Sequence, residues 1–503
     1  MFKNKKNSNN VSENETDNEK KELTSQNLKL IIGESVDFNF EEVYINQNKN
    51  IKVNIIYAEG LADNKIINDD ILKPLLYETR AMEIKSTKDV IKFLELGGLP
   101  ASGRKILTDI NEVIQEVIKG KTALVFDNEN KSITFNTIKF EKRAISQPIT
   151  ENVVKGSMDS FVETLSVNIA TLRRKIKTRN LIFEETIVGK QSLTSVAIVY
   201  IKGLTRETII QKLKERLSRI NVDNAISPGF VEGNIIDNTF SIFPQVMSTE
   251  RPDKFCADIL EGKAGLIVDG IPIAFIVPGT LNQFFQVPDD YSQNYIIASL
   301  TRLLRYVLMI LSLTILGFFV TVTTFHQEMI PSELAYSIEA ATEAVPFPTF
   351  IQVLFMLITF EALYEASIRL PKTIGQSISI VGAVIIGQAV VNAKLASPIV
   401  IVLVAVVGIA GFAMPVQDIN NAFRVWRIII TIASSLLGLV GFSFSLLFLL
   451  YSLCKIEIFD VPYLSPYVGN DAKDMGDSLI RIPLKFLKNR PSIFSPKNKT
   501  RQE

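Results

Sequence analysis

The chain has 503 residues, of which 47% are hydrophobic, and its formal net charge is +1. This length allows several hydrophobic cores, and the near-zero net charge gives a nucleic-acid partner no electrostatic support. Two cysteines provide neither a disulfide framework nor metal-ligand spacing, and His326 is the only histidine. Since no nucleophile motif or carboxylate pair stands out either, we expect no enzyme, no metal site, no cofactor and no nucleic-acid partner.

Residues 1–30 are dominated by Asn, Lys, Glu and Ser. Segments of this composition bury too little apolar surface to fold, which predicts a disordered polar tail. The start of the chain also lacks the apolar stretch of a secretory signal. Insertion into a membrane is therefore expected to depend on internal segments.

Residues 31–150 predict a first small α/β subdomain. Residues 51–57 alternate between apolar and polar side chains, as in a half-buried strand. Helical patterns begin near Asn68 and at Ser86, and a hairpin is expected around residues 127–130.

Residues 151–300 predict a second α/β subdomain. Its expected elements are an amphipathic helix over 159–175, paired strands over 181–188 and 194–202, a helix capped by Thr205, and a hairpin turning at Asp269 and Gly270. No catalytic constellation stands out in either subdomain. Two such units suit a ligand-responsive or scaffolding module.

Residues 301–453 predict a transmembrane helical domain of about four to five spans. The apolar runs cover 306–325, 349–368, 375–392, 396–414 and 428–451. Basic residues flank the first two runs, and the loop between those runs carries only acidic charges, so the positive-inside rule places the N-terminal domain in the cytoplasm. Apolar residues at helical spacing within that loop predict a surface helix near 332–345.

The number of apolar runs conflicts with the charge of the basic C-terminal tail, residues 454–503. Its lysines and arginines favour a cytoplasmic position, whereas five full spans would place it outside. Either one segment is re-entrant or the tail departs from the rule. The third and fourth runs are the candidates for a re-entrant hairpin.

The third apolar run has two different faces. The face expected to line a pore is formed by Ser377, Val381, Val384, Gln388 and Asn392. The opposite face, expected to pack against helices, is formed by Gly375, Ser379, Gly382 and Ala389. The first face fits either hydrogen bonding within a helix bundle or a water path ringed by several copies of the chain.

The second apolar run carries charges at its inner end, namely Glu361, Glu365 and Arg369 at spacings of four residues. A carboxylate inside a span costs about 2.5–3.5 kcal/mol, so it usually faces protein or water. Glu365 and Arg369 have the favourable orientation for an intrahelical pair. The carboxylates also fit contact with a partner subunit or a ring at a cation vestibule, and a proton relay has the least support.

Several longer phrases resemble those of the A subunit of GerA-type spore germinant receptors, from residue 156 to the C-terminus. The phrases are FEETIVGK (183–190), IIDNTFSIFPQVMSTERPDK (235–254), ILEGKAGLIVDGIP (259–272), IVPGTLNQFFQVPDDY (276–291), PSELAYSIEAATEAVPFPTF (331–350), ITFEALYEASIRLPK (358–372), IGQAVVNAKLASP (386–398) and VPYLSP (461–466). The resemblance implies two cytoplasmic α/β subdomains followed by a polytopic α-helical membrane domain.

The resemblance also implies a function and partners. Members of this family work in the spore inner membrane with a transporter-like B subunit and a lipoprotein C subunit. The A subunit is expected to form a homo-oligomer that conducts ions when a germinant binds the complex. A stage V sporulation AF paralogue of the same family is an alternative. A small-solute transporter is another, but it predicts two related halves with broken helices, and the sequence shows no such repeat.

Overall fold

The computed structural model describes residues 22–77, 79, 84–139, 148, 151, 153–225, 227–369, 387–468, 475–494, 496 and 498–501, with the backbone alone at 47 and 367–369. Two α/β units precede a helical membrane domain, which confirms the predicted fold class. Helix α1 (Ser25–Ile32) begins inside the segment expected to be a polar tail. The hydroxyl of Thr24 caps this helix by accepting the backbone N–H of Asn27 at 3.3 Å.

The first unit is a five-stranded antiparallel sheet in the order β1-β2-β4-β5-β3. Its strands are β1 (Phe38–Tyr44), β2 (Lys52–Ala58), β3 (Lys105–Leu107), β4 (Thr122–Phe126) and β5 (Lys131–Phe135). Its helices after α1 are α2 (Asn64–Ile66), α3 (Lys73–Tyr77), α4 (Thr87–Glu95) and α5 (Ile110–Ile118), with a π-helical segment, Ile67–Leu72, joining α2 to α3.

Helices cover both faces of this sheet. On strand β2, Val53 and Ile55 pack against α3 and α4, whereas Ile56 packs against α1 and α5. The strand predicted at 51–57 is confirmed as β2, but the expectation that it is half-buried is wrong, because helices enclose it from both sides. The predicted helix at Ser86 is confirmed, with Ser86 and Asp89 forming a capping box.

The second unit repeats the same succession of elements. Its helices and strands are α6 (Leu165–Lys175), β6 (Leu181–Val188), β7 (Thr194–Ile201), α7 (Glu207–Arg219), α8 (Pro228–Ile235), β8 (Met247–Thr249), α9 (Pro252–Leu260), β9 (Ala264–Val268) and β10 (Ala274–Val277). The strand order is β6-β7-β9-β10-β8, which corresponds position by position to that of the first sheet. The two units are thus structural repeats.

Two helix starts in the second unit differ from the sequence expectation. Helix α6 begins at Leu165 because the side chain of Asn168 bonds both backbone groups of Val162 and holds the preceding segment outside the helix. Helix α7 has Arg206 at its N-cap. The hydroxyl of Thr205 instead donates to the backbone carbonyl of Lys263 at 3.2 Å.

A short helix, α10 (Pro288–Ser292), leads into the membrane domain. The helices that follow are α11 (Tyr295–Thr324), α12 (Ser332–Thr342), α13 (Thr349–Arg369), α14 (Pro398–Phe412) and α15 (Gln417–Lys455). Within the described residues, α11, α13 over Thr349–Ala366, and α15 are long and apolar enough to cross a membrane. Helix α12 buries none of its side chains, as the predicted surface helix requires.

Helix α15 folds back on itself at Gly438, whose φ is 59° and ψ −136°. The rings of Trp426 and Phe448 have centroids 5.7 Å apart, although a straight helix would separate these residues by roughly 33 Å. Gly441 lies against the backbone carbonyl of Ala433, where a side chain would clash. The fifth apolar run is therefore a hairpin, and its two arms end on the same side of the membrane domain.

The chain then returns to the second α/β unit. A two-stranded ribbon, β11 (Glu457–Ile458) and β12 (Val461–Pro462), follows α15. Ile456, Phe459 and Tyr463 are buried in the same hydrophobic core as the second sheet. Part of the segment expected to be a basic tail thus belongs to this core.

Candidate functional site

The predicted pore face lies only partly within the residues that the structure describes. Ser377, Val381 and Val384 of that face, and Gly375, Ser379 and Gly382 of the opposite face, lie outside the described residues. Residues 387–392 form a helical turn in which Gln388, Ala389 and Asn392 are exposed, whereas Val390 packs against α11, α13 and α14. Both predicted faces remain predictions.

Exposure of Gln388 and Asn392 is informative because they end an otherwise apolar run. An amide that faces lipid loses its hydrogen bonds to water, so it normally faces protein or a water-filled cavity. The two residues are four apart and share one face of the helix. In a membrane, this face requires water or a neighbouring chain.

The charges of the second apolar run reach across to another helix. The Oε1 atom of Glu361 accepts the Nε–H of Arg424 at 3.0 Å, and a guanidinium N–H of Arg424 pairs with the other oxygen. The guanidinium carbon of Arg424 also lies 4.7 Å from the centre of the Tyr364 ring. This helix-pair cluster, made of Glu361, Tyr364 and Arg424, joins α13 to the first arm of α15.

The intrahelical pair expected between Glu365 and Arg369 stays a prediction. Glu365 is exposed, and the side chain of Arg369 lies outside the described residues. Glu361, for which contact with a partner subunit or a carboxylate ring is predicted, pairs with Arg424 of the same chain, and both predicted roles stay predictions. Sequence spacing could not identify its partner, since Arg424 is 63 residues away.

A second polar cluster joins the α/β region to the membrane domain. We call it the junction cluster and define it as Asp290, Tyr291, Arg302, Arg305 and Asp477. Its members come from α10, from the first turns of α11, and from the C-terminal segment. The sequence indicated Arg302 and Arg305 only as a basic flank of the first apolar run.

The two arginines of the junction cluster are bound by two aspartates. Arg302, with its side chain 0% exposed, donates from Nε to Asp290 Oδ2 at 3.2 Å and from Nη1 to Asp477 Oδ1 at 2.9 Å. Arg305 donates from Nη2 to Asp290 Oδ1 at 2.6 Å and from Nη1 to Oδ2 at 3.0 Å. Arg302 and Asp290 are thus buried as partners of opposite charge, the condition under which buried ions are tolerated, and the partly exposed Arg305 and Asp477 add one charge of each sign.

Tyr291 completes the junction cluster by donating its hydroxyl to Asp477 Oδ2 at 2.8 Å. Burial, reinforced by the Asp477 carboxylate, raises the pKa of the Tyr291 phenol well above its ordinary value, so the hydroxyl remains a donor. Close by, Tyr306 stacks on Phe285 with ring centroids 4.3 Å apart and donates to Asn282 Oδ1 at 3.0 Å. These contacts make α11 and the second unit one packed body.

Sequence reasoning did not find the junction cluster. The available signal was the three-residue spacing of Arg302 and Arg305, which places both on one helix face just after Asp290. Asp477 could not be inferred, because its position depends on the return of the chain through α15. Within the described residues, no group of three His, Cys, Asp or Glu side chains is arranged to hold a metal ion.

Comparison with known proteins shows the family. The profile of the family described as Bacillus/Clostridium GerA spore germination protein matches residues 26–493. Spore germination protein KA of Bacillus subtilis is 36% identical over 471 residues, covering 94% of this chain and 86% of that protein. Spore germination protein B1 of the same organism is 34% identical, with 94% of this chain and 97% of that protein covered.

One further relative and one solved structure are also similar to parts of this chain. Spore germination protein GerQA of Bacillus cereus is 36% identical, covering 93% of this chain and 92% of that protein. The crystal structure of the N-terminal domain of the A subunit of the Bacillus megaterium spore germinant receptor GerK3 is 26% identical, covers 50% of this chain and 91% of that chain, and has a TM-score of 0.39. The chain belongs to the GerA family of spore germination proteins.

Proposed function

We propose that the chain is the A subunit of a nutrient-sensing spore germination receptor. Several copies would assemble into the ion-conducting part, which opens when a germinant binds the complex. Membership of the GerA family supports the receptor role. The observation that carries the conducting role is the exposed pair Gln388 and Asn392, because these amides need water or another copy of the chain beside them.

The proposed pore face comprises Ser377, Val381 and Val384 together with these two amides. One such helix from each copy would ring a central path, with valines forming the narrow section and amides at its end. The opposite face, with Gly375, Ser379, Gly382 and Ala389, would pack against neighbouring helices. Asn392 would offer passing cations a dipole without a full charge.

The remaining parts of the proposal concern place and partners. The complex would lie in the spore inner membrane with a transporter-like B subunit and a lipoprotein C subunit, and the α/β units would face the cytoplasm. The hairpin of α15 supports this orientation, since it returns the basic C-terminal segment to the side of the α/β units. The junction cluster would couple these units to α11.

Replacing the valine at the proposed constriction tests the pore. Val384→Ala should raise the ion leak of reconstituted membranes at least several-fold, because a smaller side chain at a dewetted constriction admits water more easily. Single-channel recording of the purified protein, alone and with its partner subunits, measures this. Val402→Ala in α14, at an exposed position away from the proposed face, is the control. Conductance unchanged by Val384→Ala, with normal germination of spores carrying it, would exclude this pore.

A further inference from the structure

A cavity of about 370 Å³ lies between the second α/β unit and the end of the chain. Its inner wall includes Lys263, Asn282 and Gln283 of the second unit. Its outer wall is the tail hairpin, defined as residues 488–494, 496 and 498–501, in which Arg490 N donates to Lys499 O at 2.8 Å and Arg501 N to Lys488 O at 2.7 Å. A volume of this size accommodates a small metabolite.

The tail hairpin gives the cavity a positive rim. Five basic and two acidic side chains line it. Lys488 and Lys499 are exposed and have no ion pair within the described residues. The guanidinium of Arg490 donates to three backbone carbonyls, including that of Leu260 at 2.9 Å. Burial and the neighbouring Arg501 lower the pKa of Arg490, although the Glu261 carboxylate, which also lines the cavity and pairs with Arg501, opposes this shift.

The inner wall contains a buried acceptor without a donor. Gln283 is 4% exposed, and its Nε2 donates to Asp258 Oδ2 at 3.0 Å. That bond fixes the orientation of the amide, because a carboxylate accepts but does not donate. Among the described residues, nothing donates to the buried Oε1 atom. Such an atom normally has a partner, and because Gln283 lines the cavity, a hydroxyl or amine of a bound molecule would satisfy it after a small movement of the amide.

Lys263 does not compete for the same molecule. Its side chain is 3% exposed, its Nζ lies 2.6 Å from Asp258 Oδ1, and it faces the ring of Phe494 at 4.9 Å. Its charge is therefore neutralised by Asp258 within the wall. The positive charges that remain for an anion are those of Lys488, Arg490 and Lys499 in the tail hairpin.

We propose that this cavity binds a small phosphate monoester that also carries a hydroxyl group. The phosphate lies against Lys488, Arg490 and Lys499, and the hydroxyl donates to Gln283 Oε1. Several cations converging from one side match a phosphate dianion better than a single carboxylate. Since Asn282 lines the cavity and also accepts from Tyr306 of α11, the ligand lies next to the contact between the second unit and the membrane domain.

Glycerol phosphate chemistry meets both requirements, as a soluble metabolite or as the headgroup of lysophosphatidic acid, which keeps one free glycerol hydroxyl. The test uses the full-length protein in nanodiscs of phosphatidylcholine, titrated calorimetrically with glycerol 3-phosphate and with inorganic phosphate. Glycerol 3-phosphate should bind about tenfold more tightly, the equivalent of one additional hydrogen bond. Lysophosphatidic acid in the nanodisc should abolish this binding if the headgroup is the natural occupant, and should leave it unchanged if the occupant is soluble.

Two variants test the residues. The double variant Lys488→Ala/Lys499→Ala, which changes only exposed side chains, should weaken the binding of both phosphates at least tenfold. The control variant Lys485→Ala, at an exposed lysine outside the cavity lining, should leave the binding of both unchanged. Gln283→Met should remove the preference for glycerol 3-phosphate over inorganic phosphate. Equal binding by wild type and the double variant, or no binding of either phosphate to the wild type in either nanodisc, would overturn the proposal. Because binding is measured without ion flow, its failure is distinct from failure of the pore.

Discussion

The two α/β units share one topology, and the end of the helix before the fourth strand of each unit shows how closely they correspond. Helix α5 is followed by Gly120 with φ of 91°, and α9 by Gly262 with φ of 101°. In the first unit Glu116 pairs with Lys121 at 2.5 Å, and in the second Asp258 pairs with Lys263 at 2.6 Å. Both pairs join a helical carboxylate to the lysine five residues later.

The two ion pairs differ in how far the rest of the protein buries them. In the first unit Lys121 is 23% exposed, and Lys105 and Lys119 also approach Glu116 at the surface. In the second unit Lys263 is 3% exposed beneath Phe494 of the tail hairpin. The same scaffold thus remains open in one repeat and is enclosed by the C-terminal segment in the other. The second repeat is also the one joined to the membrane domain by the junction cluster.

A substitution in the contact between the two repeats should cause the largest loss of stability. Arg173 of α6 is fully buried and donates to both carboxylate oxygens of Asp37 in the first unit, at 2.8 and 2.9 Å. Arg173→Met leaves the buried Asp37 carboxylate without its counter-charge, bound only by the Ser35 hydroxyl among the described residues, and should lower the free energy of unfolding by about 3–5 kcal/mol. Thermal unfolding and limited proteolysis of the purified protein measure this. The control variant Arg174→Met, at the exposed neighbouring arginine, should change the free energy of unfolding little. Equal losses of stability in both variants would contradict the role of Arg173 in joining the repeats.

Removing one carboxylate of the junction cluster should have the next largest effect. Asp477→Asn takes a charged acceptor from Arg302 and Tyr291, and should cost about 2–3 kcal/mol. The expected result is release of the C-terminal segment, seen as faster proteolysis after α15, with the first repeat unaffected. Asp289→Asn, at a carboxylate that accepts from the exposed backbone amides of Val154 and Lys155, is the matched control. Identical proteolysis of wild type and Asp477→Asn would contradict the role of the cluster.

Substitutions of the equivalent carboxylates, Asp258 and Glu116, test the comparison between the two repeats directly. Asp258→Asn leaves a buried lysine without its counter-charge and should cost about 2 kcal/mol. Glu116→Gln should cost less than about 1 kcal/mol, because its lysines remain exposed to water. Denaturant unfolding of the two variants side by side gives the difference. Equal costs would show that the tail hairpin does not change the environment of the pair.

The smallest expected effect depends on pH and concerns the linker between the repeats. Burial raises the pKa of Glu151, but the Lys254 ammonium and its hydrogen bonds outweigh this and hold the pKa below the ordinary value. The bound carboxylate therefore stabilises the fold above its ordinary pKa, and this contribution is lost as the pH falls through the lowered value.

Glu151→Gln should thus lower Tm at pH 7 by a few degrees, the equivalent of about 1 kcal/mol. The deficit relative to wild type should shrink once the pH falls below about 4. Thermal unfolding at a series of pH values measures this, with Glu250→Gln as the neighbouring control. A deficit independent of pH would show that Glu151 acts through packing alone.

Local patterns allowed much of the fold to be predicted. The strands at 181–188 and 194–201 and the helix capped by Ser86 follow from alternation and capping residues, which operate within a few positions. The sequence did not predict the structural repeat, because the two units share their strand order without sharing sequence motifs. The burial of strand β2 was predicted wrongly, because the alternation of apolar and polar residues does not reveal whether helices cover both faces of a sheet.

The site was less predictable because its contacts are distant along the chain. Glu361 was identified as an intramembrane charge, but its partner Arg424 depends on the packing of α13 against α15. Likewise Asp477 reaches Arg302 only because α15 reverses at Gly438. A turn made by a single glycine inside a continuous apolar run leaves no hydropathy signal. The sequence therefore indicated a reversal of the chain only through the odd number of apolar runs.

The return of the chain into the second unit has a consequence for biosynthesis. Phe459 and Tyr463 fill the core of a domain whose sheet is complete by residue 277. A ribosome therefore releases these residues only after α11 to α15 have been delivered to the translocation machinery. The first repeat can reach its native state early, whereas the second must wait with an unfilled core until membrane insertion is finished. Truncated or wrongly inserted chains would expose that core and present quality-control proteases with a ready signal.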